Sequence, residues 1–331
     1  MRAYRWTEAT ETYDTLRAEP IARRELKPTE VRVRVRAASL NYRDLLVARG
    51  VKSPRVPLSD GAGVVTEVGA AVTRFRVGDR VMGAFFPTWL DGTIRAAHHD
   101  HARGGPVDGM LADEVIDEAD AFVHTPAHLD DVEASTLPCA GLTAWHALYE
   151  STVVRPGESV LALGSGGVST FAIQLASRAG AKVIATSSSD AKAARLRELG
   201  AVDVIDRTTH PDWADEVVRR HGEVDHVIEV GGAGTLAQSF RAARHGGRVA
   251  LIGVLSGFGT TAPAPILLRS LRVDGIYVGS VAMFERFARA VETAKLRPVV
   301  DRVFAVEETK AAFEHLASGR HLGKVVIRLA E

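Results

Sequence analysis

From Val31 to Arg36 the chain reads VRVRVR, valine and arginine alternating strictly, which is the period of a strand with one wet face. Beyond it, short β-branched runs such as Gly63-Val64-Val65 and Val77 to Met82 are broken by Gly, Pro and Asp. That texture predicts an irregular, mostly β domain. It changes at Arg155-Pro156-Gly157. Apolar runs at Ser159 to Leu163, Lys182 to Ala185, Val202 to Ile205, Asp225 to Val230, Arg248 to Ile252 and Arg272 to Val278 predict buried strands. Helical patterns separate them at Val168 to Ala179, Asp190 to Leu199, Trp213 to Arg220 and Leu236 to Ala243. Such alternation implies crossover units and a doubly wound parallel sheet covered on both faces, an α/β architecture.

After Ser280 the pattern predicts an amphipathic helix, Met283 to Lys295, with Phe284, Phe287, Ala288 and Val291 on one face. A strand, a helix at Glu307 to Ser318 and a last strand at Lys324 to Leu329 follow. These elements are too many for a tail, so they are expected to return to the first domain. The organisation predicted is a first domain of residues 1–130 and 280–331, with a doubly wound domain of residues 131–279 between its parts.

Length supports the split, because 331 residues exceed what one core usually holds. The formal net charge is +0 with no basic footprint, which argues against nucleic acid or an anionic membrane as partner and for a small-molecule substrate. Cys139 is the only cysteine, so no intramolecular disulfide and no multi-cysteine zinc site can form. The start MRAYRWTEAT has no apolar signal region, and no apolar run approaches the ~20 residues of a membrane span. A cytoplasmic location is expected.

Gly164-Ser165-Gly166-Gly167-Val168-Ser169 stands between the first strand and first helix of the doubly wound half. Glycines there allow a tight turn and bring backbone N–H groups to a pyrophosphate at a helix N-terminus. Ser169 replaces the third glycine of the usual pattern. The second strand would end in Asp or Glu if it held the free ribose hydroxyls of NAD. Here it runs into Thr186-Ser187-Ser188-Ser189, with Lys192 and Arg207 beyond. Hydroxyls and cations suit a 2′-phosphate, so NADP(H) is expected to be preferred over NAD(H), held by Ser187, Ser188, Lys192 and Arg207. Ser188 or Ser189 would also cap the helix that Asp190 opens.

With Ser39 to Leu45 (SLNYRDL), Gly61 to Val68 (GAGVVTEV), Val77 to Gly83 (VGDRVMG), Leu137 to Trp145 (LPCAGLTAW), GSGGVS and Gly319 to Ile327 (GRHLGKVVI) in this order, the chain resembles the medium-chain dehydrogenase/reductase superfamily over nearly its whole length. The resemblance implies a GroES-like, mostly β catalytic domain with an inserted Rossmann domain. Zinc members place a Cys where Asn41 stands, Gly-His-Glu where Leu58-Ser59-Asp60 stands, and a third ligand at Cys139. Asp60 and Cys139 alone cannot make the three-ligand catalytic site, so the chain is similar to the zinc-independent branch that holds quinone oxidoreductases and enoyl reductases. By resemblance Asn41, Tyr42 and Thr143 serve the nicotinamide and substrate, while Arg43 and Asp44 brace them. The backbones around Ile252, Val254, Val278 and Ser280 clamp the carboxamide, and Arg320 or Lys324 reaches the cofactor phosphate or ribose. A homodimer through the edge strand Arg272 to Val278 is also implied.

The implied chemistry is hydride transfer to an electrophilic carbon. Without a metal Lewis acid a simple ketone is hard to polarise, which favours a quinone or an activated alkene, an enone or enoyl group. The tyrosine that some enoyl reductases carry after a glycine is absent from Gly50-Val51-Lys52. An alcohol or aldehyde dehydrogenase, and a non-catalytic nucleotide-binding or redox-sensing protein, stay open as alternatives. His98-His99-Asp100-His101 is expected to be a solvated loop, although its imidazoles have a spacing that suits a divalent ion. Phe85, Phe86, Trp89, Trp145 and Tyr277 are candidates for either core or substrate pocket.

Overall fold

A computed structural model describes residues 1–257 and 259–329. The chain divides into two compact units, Met1–Leu142 with Val278–Glu331, and Thr143–Tyr277. The boundary expected at residue 130 therefore lies later. The reason is packing at long range: Val132, on the short helix Asp131–Ala134, is buried with Ala37 and Val326 of the first unit, and Ser39 Oγ donates to Ser135 O.

The second unit carries a six-stranded sheet. Numbered in chain order, its strands Ser159–Ala162, Lys182–Ser187, Asp203–Asp206, Val224–Glu229, Ala243–Leu251 and Arg272–Gly275 lie 3-2-1-4-5-6, all pairs parallel. This order reverses beside the first strand, which is where doubly wound sheets open a crevice at their carboxyl ends. Leu161, Ile184, Ile205, Val227 and Val249 fill one core with Trp213 and Phe240 from the helices. The strands read as continuous apolar runs because both faces are covered.

The first unit is a seven-stranded sheet with a separate hairpin, Arg2–Trp6 with Leu16–Pro20. Its centre is the 11-residue strand Glu30–Leu40, flanked by Lys324–Arg328 on one side and Asp60–Val68 on the other, both antiparallel. Val31, Val33 and Val35 point into the core with Trp6, Leu45 and Phe313, and the Trp6 and Phe313 rings meet edge to face at 5.1 Å. The predicted wet face is interrupted at Arg32. It is buried because Glu114–Glu118 pairs over that end of the strand, and Arg32 Nε donates to Glu67 Oε2 at 2.9 Å. A buried guanidinium must be met by carboxylates in this way.

The register sets up the site. Ser39 pairs with Asp60, and Leu40 with Val325. The end of the central strand thus meets the start of both neighbours, which brings Asn41, Asp60 and Lys324 to one edge of three adjacent strands.

Candidate active site

Asn41 ends the central strand and stands at the N-cap of the helix Tyr42–Arg49. Its own N–H donates to Asp44 Oδ2 at 2.7 Å, the return half of a capping box. The Asn41 side chain is therefore released from capping and turns to the sheet edge. Nδ2 donates to Asp60 Oδ2 at 2.9 Å, and Oδ1 accepts from Lys324 Nζ at 2.5 Å. The ammonium also donates to Leu40 O at 2.7 Å and lies 3.4 Å from Asp60 Oδ2. Ser59 Oγ donates to Asp60 Oδ1 at 2.8 Å, and Ser39 Oγ lies 3.3 Å from Asp60 Oδ2. The side chains of Lys324 and Asp60 are 3% and 0% exposed, whereas Asn41 is only partly buried. The cluster is a buried ion pair with every polar atom partnered, which a buried charge requires.

By resemblance Arg320 or Lys324 was expected at the cofactor phosphate or ribose; here the Lys324 ammonium lies within the cluster. Its ammonium is turned inward, where among the described residues it is the cation paired with the buried Asp60 carboxylate. Arg320 remains exposed, its Nε donating to Ser318 Oγ at 3.2 Å. Tyr42 is 37% exposed at the first turn of its helix. Arg43 and Asp44 do brace the segment. Arg43 Nη1 donates to Arg103 O at 2.9 Å and its guanidinium lies over the Phe85 ring, while burial, stronger here than the Arg43 charge, pushes the Asp44 carboxyl up to about 6. Burial and the Asp60 carboxylate likewise push the Cys139 thiol well above its ordinary range, so it is a poor nucleophile at neutral pH.

Two residues of this unit with strained backbone flank segments expected to serve the site. Leu58 has φ +68° and Val278 φ +55°. A β-branched residue in the left-handed region is rare, and such strain persists where the surroundings force it. Val278 is 3% exposed. The Ser280 hydroxyl accepts from Met283 N and caps the helix Val281–Thr293. The next two N–H groups of that helix go to Trp89 O and Leu90 O. Phe85, Phe86 and Trp89 are core, at 0 to 2% exposure. The histidines follow different paths: His98 stacks on Trp89, His99 meets the Phe86 edge, and His101 Nδ1 bonds Ala97 O. Among the described residues no group of three or more His, Cys, Asp or Glu could hold a metal ion.

In the second unit Gly164 turns with φ +75°, open to glycine without strain, and its N–H donates to Thr186 Oγ1 at 3.0 Å, tying the first strand end to the second. Gly166 is the N-cap of the helix Gly167–Arg178 and supplies no side-chain cap. The helix therefore opens with N–H groups available to an anion, flanked by Ser165 and Val168. Ser169, in place of the third glycine, is buried and donates to Leu163 O at 2.6 Å, so its hydroxyl fastens helix to strand where glycine would merely allow approach.

At the end of the second strand, Ser187 is buried and its Oγ donates to Ser189 O, which makes it a support of the turn. Ser189 caps the helix Asp190–Glu198, accepting from Lys192 N. Ser188 is exposed. Arg207 is exposed too, and its N–H donates to Ser187 O at 2.9 Å, so the third strand end delivers it beside the serines. Ile252 N donates to Glu229 O, and a Cβ on Gly253 would fall 2.0 Å from Val230 O, so only glycine passes before Val254. Sequence reading missed Glu229. Buried at the end of its strand, it accepts from Gly231 N, Gly232 N and the Thr235 and Ser239 hydroxyls and fixes that loop. Thr143 is buried in Leu142–Trp145, between two π-helical turns, Leu137–Gly141 and His146–Glu150, a helix form frequent at functional sites.

Residues 27–127 match the model of the alcohol dehydrogenase GroES-like domain, and residues 167–295 that of the zinc-binding dehydrogenase. The chain belongs to the medium-chain dehydrogenase/reductase superfamily. It is 43% identical over 319 residues, 92% of each chain, to the zinc-type alcohol dehydrogenase-like protein C1773.06c of Schizosaccharomyces pombe (strain 972 / ATCC 24843). A crystal structure of an NAD-dependent alcohol dehydrogenase matches at TM-score 0.89 with 33% identity over 100% of both chains. The 2-octenoyl-CoA carboxylase reductase CinF, solved with NADP and 2-octenoyl-CoA, matches at TM-score 0.88 with 26% identity, over 99% of this chain and 87% of that one. Like these relatives this medium-chain dehydrogenase/reductase is an NAD(P)H-dependent oxidoreductase with a small-molecule substrate. No helix among its described residues is long and apolar enough to cross a membrane.

Proposed function

We propose that this enzyme is a zinc-independent, NADPH-dependent reductase that transfers hydride to a quinone or to an alkene activated by a carbonyl. The Lys324–Asn41–Asp60 cluster carries the reading. Zinc relatives place metal ligands at the positions of Asn41, Ser59 and Cys139, and the donor set present does not fit a catalytic zinc. The amide oxygen of Asn41 is engaged by an ammonium, its nitrogen by Asp60, and Ser59 donates rather than ligates. A divalent cation there would also meet the Lys324 charge.

NADPH fits the second unit. The turn at 164–168 offers backbone donors for the pyrophosphate, and Ser188, Lys192 and Arg207 suit a 2′-phosphate with no acid ending the second strand. CinF holds NADP in its own structure, which supports this choice, whereas another relative carries NAD in its name. When bound, NADPH supplies the hydride. The protein has to meet negative charge at the acceptor. As hydride adds to the β-carbon, the C=C electron pair moves to the carbonyl oxygen, and a solvent proton completes the saturated product. A conjugated acceptor spreads that charge, so hydrogen-bond donors alone suffice. Asn41 is the candidate donor, with Tyr42 and Thr143 assigned to the same reacting end by family resemblance.

The test is NADPH oxidation by the purified enzyme against a panel of 1,4-quinones, enones and enoyl thioesters, beside alcohol oxidation with NADP+. Turnover on quinones or activated alkenes is expected. Alcohol oxidation as the dominant activity would replace the proposal with a dehydrogenase.

A further inference from the structure

The buried pair beneath Asn41 does more than fill space, and the chemistry of its atoms shows how. An amide carries one acceptor end and one end with two donors. Lys324 has only donors, and ionised Asp60 only acceptors, so each must face one end of the amide. Reversal would set Oδ1 against the carboxylate and Nδ2 against the ammonium. Asn41 is thereby fixed in one orientation, with Oδ1 on Lys324 and Nδ2 on Asp60. Of the two Nδ2 hydrogens one meets Asp60, and among the described residues no second acceptor is found. Asn41 is also the partly exposed member of a trio whose other two side chains are buried.

We infer, resting on the reductase reading, that Lys324 is a positioning residue: it pins the Asn41 amide with one N–H left for the substrate oxygen, and its buried charge strengthens that donor. A bond accepted at the amide oxygen draws electron density from nitrogen and makes its N–H a better donor, and low-dielectric surroundings amplify the effect. By resemblance zinc relatives carry a ligand at the Asn41 position, and here an amide backed by a cation stands there. Its charge reaches the substrate through one amide instead of a coordination bond. Leu40 O and Asp60 hold the ammonium in place, so the arrangement is preformed.

The experiment uses the holoenzyme with NADP+ and titrates 4-nitrophenolate, a delocalised oxyanion, alongside turnover with NADPH and an enone. Lys324→Met is expected to weaken phenolate binding and lower kcat by roughly tenfold each, a fraction of what losing a whole oxyanion donor costs. The Kd for NADPH should stay within about twofold, since the ammonium is not at the phosphate. Asn41→Ala should weaken phenolate binding at least as much, and adding Lys324→Met to it should cost little more, because the lysine acts through the amide. Lys324→Arg should recover part of the loss. Should Lys324→Met fold poorly, Lys324→Met with Asp60→Asn removes both buried charges together and is read in the same way. Unchanged phenolate binding in the folded variant, multiplying losses in the double variant, or a large rise in the NADPH Kd would overturn the inference. Wild-type enzyme that turns over no quinone or alkene defeats the reductase reading instead, and phenolate binding still judges Lys324.

Discussion

Lys324 Nζ and Asn41 Oδ1 lie 2.5 Å apart although 283 residues separate them in the chain. One opens the last strand of the first unit and the other follows its central strand, whose end Leu40 pairs with Val325. The enzyme thus places a buried cation behind an amide at one edge of three adjacent strands.

Lys192 tests the choice of cofactor. If its ammonium meets the 2′-phosphate, Lys192→Ala loses one charge-assisted contact, about 1.5 kcal/mol or tenfold in affinity. The KM for NADPH should rise about tenfold while that for NADH stays within twofold. Steady-state kinetics with both cofactors decides, and equal effects would return Lys192 to its helix.

Asp44 makes stability depend on pH. Burial pushes its folded carboxyl up from an ordinary 3.8 to about 6. The folded state therefore holds this proton more tightly than the unfolded one, and its contribution to stability falls as pH rises from about 4 to about 6, by about 3 kcal/mol. Asp44→Asn keeps an acceptor for the Asn41 N–H and removes the charge. The variant should gain stability relative to wild type across that window and hold the gain above it. Urea unfolding at pH 4.5 and 7.5 measures the change, and a pH-independent difference would show that Asp44 ionises without cost.

Much of this architecture is legible in the sequence, and the reasons for success and failure are physical. The parallel strands Ser159–Ala162 and Val224–Glu229 announce themselves because burial on both faces leaves continuous apolar runs. The turn at 164–168 is legible because its position between strand and helix is local. Arg32 deceives because alternation reports the period of a strand, not which strand later covers it. The first unit runs past residue 130 because Val132 is claimed by Ala37 and Val326, partners far away in the chain. The pairing of Lys324 with Asn41 and Asp60 is hidden for the same reason. The lysine's partners lie far away in the chain, and only the register of three strands brings them together.

The edge strand Arg272–Gly275 bears on assembly. It closes the six-stranded sheet and leaves its outer edge unpaired among the described strands. Leu267 and Leu268, just before it, are 79% and 75% exposed. Exposed apolar residues beside an open edge suit a symmetric interface. We expect a dimer by light scattering, and Leu267→Glu with Leu268→Glu should shift it to monomer at micromolar concentration. A wild-type monomer would remove the edge from consideration.

The central claim is that the reductase works with an amide and a buried lysine where relatives use zinc. The most direct measurement is turnover of NADPH with an enone or quinone by enzyme dialysed against a chelator, with metal content determined on the same sample. Undiminished turnover at less than one zinc per ten chains is the predicted result. Activity that disappears with the metal and returns on adding stoichiometric zinc would contradict it.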